Sequence, residues 1–145
     1  MTLSSEIKID TTTQFEIVDV TEQVAKAVKL SRIKSGVAVV FCPHTTAAIR
    51  VNHNEPLLKQ DLMKVLYRLA PIDINYAHDL FEIRTKVKPD ERSNGHAHVK
   101  AFLLGDSEAV PVVGGKLMLG ERQSIFFVEC DGGRARRVII QILGE

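Results

Sequence analysis

The last third of the chain consists of short apolar runs separated by glycine turns, a pattern that favours antiparallel strands. Residues 109–119 read AVPVV, Gly114-Gly115 and KLML, and a glycine pair between two such runs is typical of a hairpin. Residues 123–143 repeat this arrangement, with QSIFFVEC and RARRVIIQIL on either side of Asp131-Gly132-Gly133. Both arms of this second predicted hairpin carry apolar residues on both faces, so we expect them to be central strands of a sheet.

Two helices are predicted in the first half of the chain. Thr21 is the expected N-cap of the first, TEQVAKAVKLSRI, whose buried stripe would include Val24 and Val28. Asn54 or Glu55 would cap the second, which Pro71 ends. Its apolar residues recur at the spacing of one helix face: Leu58, Leu62, Val65, Leu66 and Leu69.

Further strands surround these helices, which determines the expected fold class. SSEIKID, QFEIVDV, GVAVVF and TTAAIRV all resemble strands, whereas HAHVKAFLLG fits either a short helix or a strand. Hairpins dominate and no regular βαβ alternation is visible. We therefore expect an α+β fold, with a mostly antiparallel β-sheet or sandwich and two main helices, in a single domain spanning residues 1–145.

Composition and charge exclude several classes of function. The formal net charge is +1, which provides no general attraction to nucleic acid or to anionic membranes. No apolar run approaches the length of a membrane span, and the N-terminus lacks the apolar segment of a signal peptide. The two cysteines have no CxxC spacing and are interpreted as reduced thiols, so the expected location is the cytoplasm.

The stretch CPHTTAAIRVNHN, residues 42–54, concentrates groups that can perform chemistry. It contains two of the five histidines, and His78 and His98 follow in or beside a long irregular segment. Three neutral imidazoles and an open position describe a catalytic zinc site, with Asp79 available to orient one ring. His96 shares a face with His98 only in an extended segment, because in a helix the two diverge by about 200°.

Two other arrangements admit both a functional and a structural interpretation. Cys42 and His44 lie on one face of a strand, which permits a nucleophile pair, although a buried cysteine is commonly a packing residue. Glu129 lies in an apolar strand and must be paired or protonated. It is either half of a structural ion pair with Arg134, Arg136 or Arg137, or a site acid beside arginines that bind a phosphate. No GxxxxGK[ST] or GxGxxG motif is present.

At this point the motifs identify a resemblance. CPHTTAAI, NHNEP, YAHD, NGHAHVKAFLLG and the run from LGERQSIFFVEC to IIQILGE resemble the YjbQ family, also called secondary thiamine-phosphate synthase enzymes, in order along nearly the whole chain. The resemblance implies a homotrimer and a divalent metal, most simply zinc, on His44, His78 and His98. The second histidine of HAH varies in the family, which fits a bystander role for His96.

The activity that the resemblance implies is formation of thiamine phosphate from a pyrimidine pyrophosphate and a thiazole phosphate. Asp79 and Glu129 would then be acid–base or orienting groups. A small phosphorylated metabolite would contact Thr45, Thr46, Asn94, Arg134 and Arg136. The alternatives are a non-enzymatic homotrimer that binds a metal or metabolite, and a metal-dependent hydrolase. The chain departs from the family pattern at His53, Arg122-Gln123 and Gly133, so substrate identity does not transfer directly.

Overall fold

The protein was analysed as a computed structural model, which describes residues 1–145 and contains eight strands. In chain order they are β1 (Thr2–Asp10), β2 (Glu16–Asp19), β3 (Ser35–Phe41), β4 (Ala47–Asn52), β5 (Ser107–Val113), β6 (Lys116–Leu117), β7 (Ser124–Glu129) and β8 (Ala135–Gly144). They form a five-stranded sheet, in the order β1-β8-β3-β5-β6, and a three-stranded sheet, in the order β2-β7-β4. Every pairing is antiparallel, which confirms the expected fold class.

Three helices accompany the sheets: α1 (Thr21–Ser31), α2 (Pro56–Leu69) and α3 (Gly95–Leu104). A short 3-10 turn, Ala77–Asp79, interrupts the irregular segment between α2 and α3. The segment that the sequence left open between helix and strand is therefore a third helix. None of the three combines the length and apolar character needed to cross a bilayer.

The beginning of α1 differs from the prediction. The cap position is Val20, which has no side chain that can accept a hydrogen bond, and Thr21 is already helical. The Thr21 hydroxyl instead donates to Asp19 Oδ1 at 2.6 Å and accepts the Ile125 N–H at 2.8 Å. The prediction of Thr21 as N-cap is wrong because its hydroxyl connects the helix to β7 rather than to the first helical turn.

The predicted helix over α2 is confirmed, but its apolar stripe is only partly covered. Glu55 is the cap, and its carboxylate accepts the N–H groups of Leu57 at 3.0 Å and Leu58 at 2.6 Å. Leu66 is the one buried residue of the helix, whereas Leu69 is 66% exposed. Helical spacing therefore predicts the element correctly without saying how much of its face is buried.

The second predicted hairpin is wrong, although both of its arms are central strands. β7 lies between β2 and β4 in the smaller sheet, while β8 lies between β1 and β3 in the larger one. The turn at residues 131–133 thus carries the chain from one sheet to the other. The hairpin of β5 and β6 is confirmed, with Val112 opposite Leu117.

The main hydrophobic core lies between the two sheets and α1. Fully or almost fully buried side chains from all three layers contact one another there, among them Val28, Ile49, Phe127, Ile140 and Val40. Since β3, β4, β7 and β8 all pass through this core, the residues that follow or precede these strands are held in fixed positions. The polar site described next lies at these strand ends.

Candidate functional site

A polar cleft of about 520 Å³ opens beside the turn between β3 and β4. None of the residues that line it is hydrophobic and five are lysines or arginines, so we call it the basic cleft. The β3–β4 turn contributes Pro43, His44, Thr45 and Thr46, the start of β8 contributes Arg134 and Arg136, and the start of α3 contributes Asn94 and His98. All five residues predicted to contact a substrate, and two of the three predicted metal ligands, therefore lie on one cleft.

The remaining wall comes from the irregular segment before α3, which sequence reasoning did not assign to the site. Its residues are mainly charged: Lys86, Lys88, Asp90, Glu91 and Arg92. Arg92 holds the segment against the turn after β7, since its guanidinium donates to the carbonyl oxygens of Asp131, Gly132 and Gly133 at 3.2–3.3 Å. The run KVKPDER was a compositional signal for this wall, because five of its seven residues are charged.

Arg136 reaches the cleft from a buried ion pair with Glu129. Arg136 Nε donates to Glu129 Oε1 at 2.8 Å and Nη2 donates to Oε2 at 2.5 Å, and the Glu129 side chain is fully buried. The carboxylate also accepts the Thr11 hydroxyl at 2.7 Å and the Asp131 N–H at 3.1 Å. All of its acceptor sites face protein donors, so in this arrangement Glu129 positions Arg136 and does not face the cleft. The Arg136 Nη2 also donates to the Thr46 hydroxyl at 2.8 Å.

A second network fixes Arg134 and Asn94. Asp131, almost fully buried, accepts Arg134 Nη2 at 2.7 Å and Asn94 Nδ2 at 2.8 Å. Burial alone would raise the pKa of Asp131, but the hydrogen bonds from Asn94 and Arg134 outweigh it and lower that pKa below its ordinary value. The buried Oδ1 of Asn94 has no partner and is thus an available acceptor beside the cleft.

Three histidines approach the cleft without forming a closed cluster. The rings of His78 and His98 meet edge to face, with centroids 4.5 Å apart, and the buried Nε2 of His78 has no hydrogen-bond partner. His44 Nε2 accepts the Arg137 N–H at 3.0 Å. Burial lowers the pKa of both His44 and His98. The positive charge of Arg136 lowers that of His44 further, and the neighbouring His78 does the same for His98. Both effects favour the neutral form of the rings.

These positions do not present a ready-made metal centre. His78 Nε2, which lies 3.8 Å from a Glu91 carboxylate oxygen, and the His98 ring have the donor chemistry that zinc prefers. However, the Nε2 of His44 is engaged by a backbone amide, and no three His, Cys, Asp or Glu side chains are arranged to hold an ion. The imidazoles of His78 and His98 thus fit a metal only as a pair. His44, the third predicted ligand, would first have to release its hydrogen bond with the Arg137 amide.

Asp79 and His96 lie behind the cleft. Asp79 Oδ1 accepts the Gly95 N–H at 3.0 Å and so fixes the first turn of α3. His96 points into the protein, where its Nδ1 lies 2.8 Å from Lys100 Nζ. Lys100 is fully buried, donates to the Ala70 carbonyl at 2.5 Å and lies 4.0 Å from the centre of the Tyr67 ring. The helical geometry of α3 thus directs His98 to the cleft and His96 to the interior.

The other candidate positions lie outside the cleft. Cys42 is buried, and its burial raises the pKa of the thiol to about 11, so it is a poor nucleophile near neutral pH. His53 belongs to the turn before α2, where its carbonyl accepts the Glu55 N–H at 3.0 Å. Arg122 lies in an exposed turn before β7. Neither His53 nor Arg122 lines the basic cleft.

Comparison with known proteins places this chain in a family. Residues 5–145 match the family described as UPF0047 protein YjbQ-like. A UPF0047 protein of Archaeoglobus fulgidus is 40% identical over 138 residues, covering 95% of this chain and 99% of its own. The YugU protein of Bacillus subtilis is 35% identical over 141 residues, with 95% and 97% covered.

Solved structures agree with the sequence match. A YbjQ-like protein of unknown function from Sulfolobus solfataricus superimposes with a TM-score of 0.91 at 36% identity, covering 100% of this chain and 99% of that one. An uncharacterised YjbQ/UPF0047 protein from Clostridium acetobutylicum gives a TM-score of 0.85 at 38% identity, covering 96% and 99%. The chain belongs to the YjbQ/UPF0047 family.

Proposed function

We propose that the basic cleft binds a phosphorylated metabolite and that the chain is an enzyme acting on a pyrophosphate ester. The observation that supports this is the lining, which has five lysines and arginines against two carboxylates and no hydrophobic residue. A volume near 520 Å³ suits a small metabolite. The guanidinium and ammonium groups of this lining can donate charge-assisted hydrogen bonds to a phosphate.

The cations of the cleft divide into fixed and free groups. Arg134 and Arg136 are held by Asp131 and Glu129, so their N–H donors are oriented before a ligand arrives. Lys86 and Lys88 are exposed and form no ion pair with the protein. The arginines would therefore determine where a phosphate binds, and the lysines would add attraction that salt can screen.

The reaction implied by the family resemblance, formation of thiamine phosphate, is compatible with this division of labour. A pyrimidine pyrophosphate would lose pyrophosphate, with its bonding electron pair, as the thiazole nitrogen forms the new bond to carbon. Negative charge grows on the departing oxygen, so fixed guanidinium groups near it lower the barrier. Thr45, Thr46 and Asn94 would orient the substrates through hydrogen bonds, while Asp79 and Glu129 would position α3 and Arg136.

A divalent ion, zinc by its donor preference, is a separate part of the proposal. His78 and His98 would supply two neutral imidazoles, and His44 would be the third ligand once its ring released the Arg137 amide. When bound, the ion would add positive charge near the leaving group. Zinc analysis of protein purified without a tag or chelator, compared between wild type and His78→Ala, tests it. Fully folded protein that takes up no zinc would refute it.

We also propose that the chain forms the homotrimer implied by the resemblance. The face of the five-stranded sheet that points away from the core carries exposed apolar side chains, including Val113 at 55%, Leu143 at 40% and Phe41 at 38%. Contiguous apolar surface of this kind marks interfaces. Light scattering should give three times 16.1 kDa, and Val113→Lys should lower that mass. A monomeric wild type would refute the proposal.

Binding of inorganic pyrophosphate, measured by titration calorimetry, tests the anion site. We expect Arg134→Gln to weaken binding about tenfold or more, because a charge-assisted donor is lost. A Lys86→Gln/Lys88→Gln double variant should mainly reduce the salt dependence of binding. Lys29→Gln, an exposed lysine of α1 that does not line the cleft, is the matched control. Equal affinities in Arg134→Gln and the control would contradict the proposal.

An activity assay separates the enzyme from a binding protein. Wild type and His44→Ala, purified in parallel, would be assayed for thiamine phosphate formation from the two precursors. A large loss in His44→Ala, with folding intact, supports catalysis in the cleft. Equal rates in the two proteins would assign the signal to a contaminant and favour the non-enzymatic alternative.

A further inference from the structure

A second pocket of about 450 Å³ adjoins the basic cleft. It shares His44, Thr45 and His98 with the cleft and adds Ala47, Ala101, Phe102, Gly105 and Asp106. We infer that the two pockets are halves of one site for the phosphate ester of an arylalkylamine, with the phosphate in the basic cleft and the ammonium group in the second pocket. This inference rests on the proposed function, since it uses the basic cleft as the phosphate end.

The two pockets have opposite charge. The basic cleft contains five lysines and arginines. Among the residues that line the second pocket, Asp106 is the only Asp, Glu, Lys or Arg. Its exposed carboxylate forms no ion pair with the protein. A ligand that carries a phosphate at one end and an ammonium group at the other would match both charges, whereas a purely anionic ligand would be repelled from the second pocket.

The direction of α3 reinforces this polarity. Asn94 and His98, at the N-terminal end of the helix, line the basic cleft, while Ala101, Phe102 and the C-cap Gly105 line the second pocket. The N-terminus of a helix carries partial positive charge and the C-terminus partial negative charge. The helix dipole therefore favours an anion in the basic cleft and a cation in the second pocket.

One face of the same helix lines the second pocket and carries an aromatic side chain. Three residues follow His98 at helical spacing: Ala101 after three, Phe102 after four and Gly105 after seven. The four therefore lie on one face of α3. Phe102 is 87% exposed, and the alanine beside it leaves room for a ring to stack. From His98 to Gly105 the helix rises roughly 10 Å, which is the reach expected between the phosphate and the amine.

Two probes that differ in one group test the inference. Phosphotyramine has a phosphate, a benzene ring and a two-carbon arm ending in ammonium, and 4-ethylphenyl phosphate lacks only the ammonium group. Wild type should bind phosphotyramine about fivefold more tightly, as an exposed charge pair with an aromatic contact allows. Asp106→Asn should remove this preference and leave the affinity for 4-ethylphenyl phosphate unchanged.

The aromatic surface has its own arm of the experiment. Phe102→Ala should weaken both ring probes several-fold and leave inorganic pyrophosphate unaffected, because pyrophosphate needs only the basic cleft. Leu103→Ala removes a neighbouring exposed side chain that does not line the second pocket and is the matched control. All variants are exposed-residue changes, and their folding is checked by thermal unfolding.

The outcomes separate this inference from the proposed function. If pyrophosphate binds wild type but Asp106→Asn keeps the preference for phosphotyramine, the second pocket is not the amine site and the inference fails alone. If Phe102→Ala and Leu103→Ala bind the ring probes equally, the aromatic surface is likewise refuted. If pyrophosphate does not bind wild type at all, the proposed anion site fails, and the inference fails with it.

Discussion

Replacing Glu129 by Gln should destabilise the protein strongly, although the change is nearly isosteric. The two carboxylate oxygens accept four hydrogen bonds, two of them from Arg136 and the others from Thr11 and the Asp131 amide. An amide has only one oxygen, so in the variant an NH₂ donor takes the place of one carboxylate oxygen and faces groups that are themselves donors. The Thr11 hydroxyl can rotate to accept, but Arg136 still loses a bond and its counter-charge.

The size of the loss follows from burial. The side chain of Glu129 is 0% exposed and that of Arg136 only 5%, so water cannot take over the lost interactions. Removing one partner of such a pair costs about 3–5 kcal/mol. Because a domain of this kind is stable by only about 5–15 kcal/mol, the variant should unfold at a much lower urea concentration than wild type.

Urea unfolding of matched variants tests this expected loss of stability. Glu6→Gln breaks an ion pair with Arg137 whose side chains are 41% and 52% exposed, and it should cost about 1 kcal/mol or less. A double variant, Glu129→Met with Arg136→Met, should recover much of the lost stability because neither member of the pair is left as an unpaired buried charge. A Glu129→Gln protein within about 1 kcal/mol of wild type would refute this account of the pair.

Three further predictions concern buried polar groups and thiols. Lys100→Met keeps most of the side-chain volume but leaves two buried acceptors without a donor, so thermal unfolding should show a loss of about 1–3 kcal/mol; unchanged stability would contradict it. The pKa of Asp131 is lowered in the folded state, so its contribution is present above pH 3.8 and disappears as the pH falls through the folded value. The stability difference between wild type and Asp131→Asn should therefore shrink in acid, and a constant difference would count against the network. Burial raises the pKa of Cys42 to about 11 and of Cys130 to about 12, so a thiol reagent should label them only on unfolding; rapid labelling of native protein would disprove their burial.

Strand and helix positions could be predicted from the sequence because they depend on local periodicity. The apolar runs and the stripe of α2 identify elements regardless of what they contact. Which strand pairs with which is a different matter. β7 and β8 are joined by a glycine turn typical of hairpins, yet they lie in different sheets. Their central positions were predictable from apolar faces, whereas their partners are strands more than 70 residues earlier in the chain.

The candidate site was predictable where its residues follow recognisable strands or motifs. His44, Thr45 and Thr46 lie between two strands, and Arg134 and Arg136 flank the first residue of a third. Lys86, Lys88 and Arg92 belong to a segment without periodicity, and its place on the cleft depends on hydrogen bonds from Arg92 to carbonyls about 40 residues away. Contacts of this kind leave no local pattern in the sequence. The helical form of α3, which separates His96 from His98, was likewise open between two interpretations.

The central place of β8 has a consequence for how the chain folds as it is made. β1 pairs only with β8, and β3 needs β8 on one side. During translation, β1 therefore leaves the ribosome more than 120 residues before its partner, and two strand edges stay open until residues 135–144 emerge. Open edges attract other strands. A nascent chain stalled before residue 135 should consequently depend on chaperones that bind exposed strands, and a full-length chain released from the ribosome should not.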